Sequence, residues 1–325
     1  MKSARTPVAE RRDVRSRAVV YAGLLYVAVC WGLNVVLVKA AIGRLDPLVF
    51  TAMRFVAMTP LVFGLSAVSG QRVRVRRRDV PLLIACAACG YGAYQYFWIF
   101  GLANTSAFAS ALLGATAPVF TLLIVAFTGQ DRISAGRWIA AAIALMGIAI
   151  FEGAFAGHAT FRLGDALTLL SSLSFAFYNV LAARLVGRYP PIVLVAITMT
   201  IGMLMIAPVG AFRLGLLLQS HHIDLLHLGW PVWGPFIFAV VFPIVLTWPV
   251  WNYGIARIGP ARAGLFGFLV PIVSGFAAIF ILGSRFQPHQ LMGAAICLAG
   301  MALSLLLGRI SVAGVLTERT LPLER

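Results

Sequence analysis

The 325-residue sequence contains few charged residues, and carboxylates are especially scarce. Asp, Glu, Lys and Arg make up 11% of the chain, whereas a soluble domain carries about 25%. Ten residues are acidic, and none of them lies in the middle third of an apolar segment. This scarcity argues against a soluble domain. It also leaves no central carboxylate of the kind that proton-coupled exporters of cationic drugs commonly use.

The sequence also lacks the patterns typical of disulfide frameworks, metal sites and intramembrane proteases. The four cysteines (Cys30, Cys86, Cys89 and Cys297) all lie in apolar segments. There is no His-Glu-x-x-His, no Gly-x-Ser-x-Gly and no histidine in the middle of a segment. We therefore predict no catalytic residue, no metal site and no cofactor. A polytopic membrane enzyme stays a less favoured alternative.

Hydrophobic residues are abundant, at 61% of the chain with a mean hydropathy of +0.94. A helix of about 20 apolar residues crosses the hydrocarbon core of a bilayer. Polar, Gly and Pro residues divide the sequence into ten such stretches. The predicted transmembrane helices are 18–42, 48–68, 80–102, 106–127, 136–156, 163–184, 191–215, 232–256, 261–282 and 289–308.

Basic residues concentrate on one side of the predicted membrane. Of the 26 Lys and Arg residues, twenty fall on the side of the N-terminus and four on the opposite side, while Lys39 and Arg54 fall within or near segments. Because such an excess is typical of the cytoplasmic side, we predict that both termini are cytoplasmic. The net charge of +16 thus reflects topology, and no nucleic-acid partner is predicted.

The second half of the sequence repeats the first. Trp98-Ile-Phe-Gly101 recurs 153 residues later as Trp251-Asn-Tyr-Gly254, and Pro118 meets Pro271 at the same offset. Because each half has an odd number of spans, the second half has the opposite orientation in the membrane, as in the inverted repeats of many secondary transporters. We predict two repeats, 18–156 and 163–308, between basic tails at 1–17 and 309–325.

Several short motifs follow one another in a characteristic order. Trp31-Gly-Leu-Asn34 is followed by Lys39, Asp46-Pro-Leu48 and Arg54-Phe55. A proline-centred motif at 115–120 has a counterpart at 269–273, and Leu-Gly-Asp-Ala-Leu at 163–167 opens the second repeat. Over nearly its whole length, this order resembles the EamA family of the drug/metabolite transporter superfamily.

The resemblance implies an all-α integral membrane protein with ten transmembrane helices. They would form two inverted five-helix repeats around a central cavity. It also implies export or exchange of small metabolites or drugs across a bacterial inner membrane.

Polar and aromatic residues in the middle of the segments are the candidates for lining a cavity. Tyr91, Tyr94, Gln95 and Trp98 have the i, i+3, i+4, i+7 spacing of one helical face. Aromatic walls with a few amides suit a small organic solute, whereas interhelical packing or an interfacial belt is the alternative. The remaining candidates are Trp31, Asn34, Tyr178, Asn179, Trp248, Trp251 and Asn252.

Three charged residues are further candidates. Lys39 and Arg54 could bind a substrate carboxylate, but they could instead snorkel to headgroups or brace backbone carbonyls, and we favour the structural role. Asp165 is placed to stabilise a helix N-terminus, which we favour over a proton relay.

We therefore expect a secondary transporter that moves a small neutral, zwitterionic or anionic metabolite by alternating access, as an exporter. The predicted partners are this substrate and membrane lipids, and a homodimer is left open. The alternatives are a multidrug or amine exporter, the membrane enzyme mentioned above, and a membrane scaffold or receptor.

Overall fold

The computed structural model describes residues 7–128, 135–152, 161–185, 188–220, 225, 227–258 and 266–307. These residues are predominantly helical, and no strand occurs among them. The α-helices are α1 (Pro7–Ile42), α2 (Pro47–Val68), α3 (Val80–Ala87), α4 (Tyr94–Asn104), α5 (Ala107–Gly114), α6 (Ala117–Phe127), α7 (Ala135–Phe151), α8 (Leu163–Ala183), α9 (Pro191–Gln219), α10 (Trp230–Val240), α11 (Thr247–Ile258), α12 (Leu269–Leu282) and α13 (Pro288–Leu307).

The helices are long and apolar enough for a membrane. Six helical stretches in the described residues have the length and composition to cross one: Ala18–Ile42, Pro47–Val68, Arg77–Asn104, Leu163–Ala183, Pro191–Gln219 and Trp230–Trp251. Shorter apolar helices cover Ala107–Thr121, Trp138–Phe151, Leu269–Leu282 and Pro288–Leu303. Helix is thus present in each of the ten predicted segments. The number of membrane crossings and their orientation stay predictions.

A π-helical turn interrupts a long helical stretch in each half of the chain. Residues 88–93 form such a turn between α3 and α4, and residues 241–246 form one between α10 and α11. The two turns are 153 residues apart, which is the offset of the sequence repeat. Turns of this kind are frequent at functional sites, and both border the central helices described below.

The segment at 106–127 contains two helices instead of one. α5 ends at Gly114, and α6 begins at Ala117, immediately before Pro118. Proline has no N–H for the helix ladder, so its preferred position is near a helix start. The Ser172 hydroxyl of α8 donates to the carbonyls of Leu113 (2.9 Å) and Gly114 (3.2 Å) at this break. A neighbouring helix therefore satisfies backbone groups at the interruption.

Helices α7 and α13 approach each other through reciprocal glycine contacts. A Cβ built at Gly147 would lie 2.6 Å from Cα of Cys297, and one built at Gly300 would lie 2.9 Å from Cα of Ala144. Because Gly300 and Cys297 are the residues 153 positions after Gly147 and Ala144, the sequence repeat converts one contact into the other. Reciprocal contacts of this kind are typical of a two-fold axis.

Two ion pairs connect α2 and its flanks to the second half of the chain. Asp46 accepts from Nε of Arg213 at 3.0 Å, and Asp79 accepts from Nη1 of Arg188 at 2.5 Å. The Tyr189 hydroxyl also donates to Asp79, at 3.0 Å. Asp46 immediately precedes α2, whereas Asp79 follows α2 and immediately precedes α3. The two ion pairs therefore connect the halves of the chain at opposite ends of α2.

Candidate functional site

An aromatic cluster lies where the central helices of the two halves meet. Trp248, in the first turn of α11, is its centre. Its ring centroid is 6.2 Å from that of Tyr91, 5.8 Å from that of Tyr178 and 6.2 Å from that of Trp31. Several pairs are near-perpendicular, as aromatic rings prefer. The structure thus brings together four predicted candidates from α1, the first π turn, α8 and α11.

Glycines allow these rings to pack closely. Gly90 lies in the π turn at 88–93, and a Cβ built there would be 2.7 Å from Cγ of Tyr178. Gly202 on α9 similarly faces Tyr91, with Cγ of that ring 3.1 Å from a built Cβ. Side chains at either position would displace a ring, since ordinary carbon contacts lie at about 3.5–4.0 Å.

Trp31 connects α1 to the second π turn. Its indole Nε1 donates to the carbonyl of Pro243 (2.9 Å) and to the hydroxyl of Thr247 (2.8 Å). The Thr247 hydroxyl itself donates to the Pro243 carbonyl. Trp251 lies one turn further along α11, 5.0 Å from the Trp31 ring centroid. Trp31 therefore has a clear interhelical role in addition to its place in the cluster.

Arg54 lies fully inside the protein, 2% exposed. Its Nη2 donates to Oε1 of Gln95 at 2.7 Å, while its Nε has no hydrogen-bond partner among the described residues. The guanidinium carbon lies 5.4 Å from the ring centroid of Trp98, 6.0 Å from that of Phe50 and 5.9 Å from that of Phe55. The side chain does not reach the surface, so snorkelling does not describe it.

Tyr94 joins the Arg54 region to the aromatic cluster. It precedes Gln95 in the chain, and its ring centroid is 5.1 Å from that of Phe175 on α8. Phe175 in turn stacks on Tyr178 at 5.5 Å and packs edge-on against Trp248. The contact with the Arg54 region runs through Phe55, whose ring centroid lies 5.9 Å from the guanidinium carbon and 6.1 Å from the ring centroid of Tyr91.

Lys39 has a different environment. Its ammonium donates to the carbonyls of Leu102 (2.7 Å) and Ala103 (3.0 Å) in the last turn of α4. The final carbonyls of a helix have no partner within the helix, and a cation is stabilising there. The structure thus places Lys39 in the carbonyl-bracing arrangement.

Asp165 lies in the first turn of α8. It accepts from the backbone N–H of Arg162 at 2.8 Å and from the hydroxyl of Thr105. The first contact satisfies a donor at the helix N-terminus, and the second links α8 to the end of α4. Both contacts place Asp165 in the helix-terminal position that its sequence context indicated.

The asparagine candidates lie on three different helices, and no contact among the described residues brings them together. Asn34 is 8% exposed on α1, and its Oδ1 has no hydrogen-bond partner in the described part of the chain. Asn179 is half-buried on α8, one residue after Tyr178. Asn252 lies on α11, but its side chain is outside the described residues.

Sequence reasoning missed three phenylalanines. Phe175 packs against three cluster rings, and Phe50 and Phe55 flank the Arg54 guanidinium. Helical spacing held a signal for two of them. Phe175 precedes Tyr178 by three positions, and Phe50 precedes Arg54 by four, so each pair shares a helix face.

The residue types gathered here are those that line small-molecule sites. Aromatic faces provide apolar and stacking surface, and a few polar groups provide orientation, as in most small-molecule sites. The site contains no cluster of three or more His, Cys, Asp or Glu residues able to hold a metal, nor does the rest of the described chain.

Comparison with known proteins identifies the family. The model of the "EamA-like transporter family" matches residues 18–152 and again residues 162–306. One family model thus matches each half of the chain.

Curated relatives of similar length carry transport-related names. A protein of Escherichia coli described as "Probable amino-acid metabolite efflux pump" is 24% identical over 85% of this chain and 91% of its own. A "Probable terminal-alkyne amino-acid exporter" of Streptantibioticus cattleyicolor is 27% identical over 71% and 74%, respectively. An "Uncharacterized transporter" of Archaeoglobus fulgidus is 24% identical over 83% and 93%.

A solved crystal structure has a similar fold. It aligns with a TM-score of 0.62 over 88% of this chain and 96% of that chain, at 18% sequence identity. At this identity, the likeness concerns the fold alone.

Proposed function

Since the chain belongs to the EamA-like transporter family and is a multi-pass membrane protein, we propose that it exports a small metabolite from the cell by alternating access. The substrate is neutral, zwitterionic or anionic, and binds where the halves meet. The membrane is the bacterial cytoplasmic membrane, with both termini on the inside.

The single observation that carries this proposal is the position of the Trp248 cluster. Trp248 and Trp251 come from the second half of the chain, whereas Trp31 and Tyr91 come from the first. A site made by both halves changes its shape when one half moves relative to the other. Substrate sites of repeat transporters lie at such a repeat interface.

The inverted topology of ten spans has independent support. The family model matches each half, the two π turns are separated by the repeat offset, and α7 and α13 touch through reciprocal glycines. An odd number of spans per half inverts the second repeat. The two halves then rock about the shared site, which opens to one side of the membrane at a time.

The substrate class follows from the charges in the spans. The acidic residues all lie outside the middle thirds of the predicted spans, so a carboxylate that would alternate between a proton and a cationic drug is missing from the centre. Relatives named as amino-acid or amino-acid-metabolite exporters support an amino-acid-like solute. A multidrug or amine exporter is the second candidate, favoured by the aromatic lining, which also suits cations.

Transport by purified protein in proteoliposomes tests the proposal. Vesicles loaded with one radiolabelled solute at a time, from a panel of amino acids, carboxylates, nucleosides, sugars and cationic drugs, are diluted into solute-free buffer. We expect protein-dependent loss of a neutral, zwitterionic or anionic solute. Trp248→Ala should slow this loss at least tenfold, because the ring touches four others in the cluster.

Trp138→Ala is the matched control. Trp138 is 45% exposed on α7, away from the cluster, so its removal should leave the rate within twofold. Equal effects of the two substitutions would contradict the location of the site. Loss of lipophilic cations alone would favour the multidrug alternative, and no protein-dependent flux of any solute would overturn the proposal.

A further inference from the structure

We propose that the Arg54 guanidinium binds a carboxylate group of the transported molecule, with Gln95 holding the guanidinium in place. This inference rests on the proposed transport function and names one chemical feature of the substrate. It assigns Arg54 the binding role over the structural one.

No carboxylate among the described residues pairs with the buried Arg54 cation. It is 2% exposed, and the ion pairs found in the described residues are Asp79–Arg188 and Asp46–Arg213. Arg54 lies eight residues into α2, and no acidic residue of the sequence falls in the middle third of a predicted span. Charges buried in proteins are normally paired or bound to an ion, so this guanidinium is an exception that requires an explanation.

The neighbours of Arg54 satisfy only part of the side chain. Arginine has five N–H donors in a planar fork that matches a carboxylate. Nη2 donates to the neutral Gln95 amide, and Nε has no partner in the described part of the chain. The rings of Phe50, Phe55 and Trp98 lie 5.4–6.0 Å from the guanidinium carbon. Their faces attract a cation, but they accept no hydrogen bond of ordinary strength.

Lys39 shows what a structural cation looks like in the same protein. Its ammonium donates to two carbonyls in the last turn of α4, at 2.7 and 3.0 Å. Within the described residues, Arg54 makes no comparable contact with backbone carbonyls, and its hydrogen bond is to the Gln95 side chain on the central helix α4. The environments of the two cations therefore differ: Lys39 is held by backbone carbonyls, whereas the buried Nε of Arg54 has no partner in the described part of the chain.

The surroundings of Arg54 also fit the rest of an organic anion. Phe55, 5.9 Å from the guanidinium carbon, packs edge-on against Tyr91, and Tyr91 lies beside Trp248. A molecule with its carboxylate on Arg54 can thus place its apolar part against the aromatic cluster that both halves share. Charge-assisted, two-pronged pairing of this kind is among the strongest polar contacts in proteins.

Direct binding of matched probes tests this inference. Isothermal titration of detergent-purified protein compares benzoate with benzamide, and L-phenylalanine with L-phenylalaninamide, because each pair differs in its carboxylate alone. We expect benzoate to bind at least tenfold more tightly than benzamide. The double variant Arg54→Met with Gln95→Leu removes both polar partners and should remove that preference, a change of about 10- to 100-fold expected for the loss of a charged hydrogen-bonded pair.

Three further variants separate binding from structure. Arg257→Gln removes a cation that lies on the exposed Tyr253 ring, and it should keep the preference for benzoate. Arg54→Lys retains the charge without the planar fork, and should retain part of the preference. Gln95→Leu alone should weaken benzoate binding less than Arg54→Met does, since it leaves the guanidinium intact.

The outcomes distinguish this inference from the proposed function. If the wild-type protein moves solutes in proteoliposomes but binds benzoate and benzamide equally, the carboxylate assignment is overturned and the transporter stands. The same holds if the double variant melts at the wild-type temperature and keeps its preference for benzoate. A double variant that fails to fold would be replaced by Arg54→Lys, whose unchanged preference would also overturn the assignment.

Discussion

The glycine contacts between α7 and α13 allow a sharp prediction of stability. Gly147→Ala adds one methyl group at a point where its Cβ would lie 2.6 Å from Cα and 2.8 Å from Cβ of Cys297. Ordinary carbon–carbon contacts lie at about 3.5–4.0 Å, so the helices must separate by about 1 Å. The nearest atoms belong to the backbone of α13, and rotation of a side chain therefore cannot relieve the clash.

The expected cost follows from this geometry. Overpacking of a tight core costs about 1–3 kcal/mol, and small residues at helix interfaces in membranes allow the close packing that contributes to helix association. Gly300→Ala should cost a similar amount, because its Cβ would lie 2.9 Å from Cα of Ala144 in the reciprocal contact.

Gly64→Ala provides the matched control. Gly64 lies inside α2, and a Cβ built there meets no atom within 4 Å. Alanine forms helix more readily than glycine by about 0.5–1 kcal/mol, so this variant should be as stable as the wild type or more stable. The same chemical change is thus expected to have opposite signs at two helical positions.

The assay is thermal unfolding of the purified proteins in one detergent, followed by the loss of the monodisperse peak in size-exclusion chromatography. We expect lower midpoints for Gly147→Ala and Gly300→Ala, and an unchanged or higher midpoint for Gly64→Ala. Equal midpoints for Gly147→Ala and Gly64→Ala would refute the close approach of α7 and α13.

Three further predictions concern polar contacts between helices. Lys39→Met should reduce the free energy of unfolding by about 1–3 kcal/mol and so lower the melting temperature, because two carbonyls at the end of α4 lose their donor. An unchanged melting temperature would contradict the structural role of Lys39. Ser172→Ala should cost about 1 kcal/mol, since it uncovers carbonyls at the α5–α6 break, and Ser174→Ala, whose hydroxyl is exposed, is its control in the same thermal assay. Asp79→Asn should weaken the contact with Arg188 and Tyr189 and speed trypsin cleavage between α2 and α3; unchanged cleavage would show that this ion pair does not hold the halves together.

The sequence predicted the helices well because their determinants are local. Every apolar run of sufficient length contains observed helix, although the runs at 80–102, 106–127 and 232–256 each contain two α-helices. The break at 115–116 was harder to predict, because it depends on a donor from another helix. Pro118 indicated an irregularity in the helix at this point. The donor that satisfies the break, Ser172, lies 54 residues after Pro118, so local sequence does not reveal it.

The aromatic cluster could be predicted only in part. The face formed by Tyr91, Tyr94, Gln95 and Trp98 follows from helical spacing, and the repeat points to its counterpart around Trp248. Which of these residues touch cannot be read from spacing alone. The π turns at 88–93 and 241–246 rotate the following residues relative to the preceding helix, and Phe175 joins the cluster through tertiary packing.

Lys39 and Arg54 show why the environment of a charge decides its role. In the sequence they are two basic residues of the first half, both near or within apolar segments. The same structural role, snorkelling or bracing of carbonyls, was favoured for both. In the structure, the Lys39 ammonium donates to carbonyls that α4 itself leaves without partners. Arg54 instead has a neutral amide on one nitrogen, aromatic rings around its guanidinium and an Nε without a partner. If stability alone governed this position, a well-packed apolar side chain would serve as well or better. The neutral partner and the unpaired Nε of this buried cation are thus the observations on which the proposed contact with a substrate carboxylate rests.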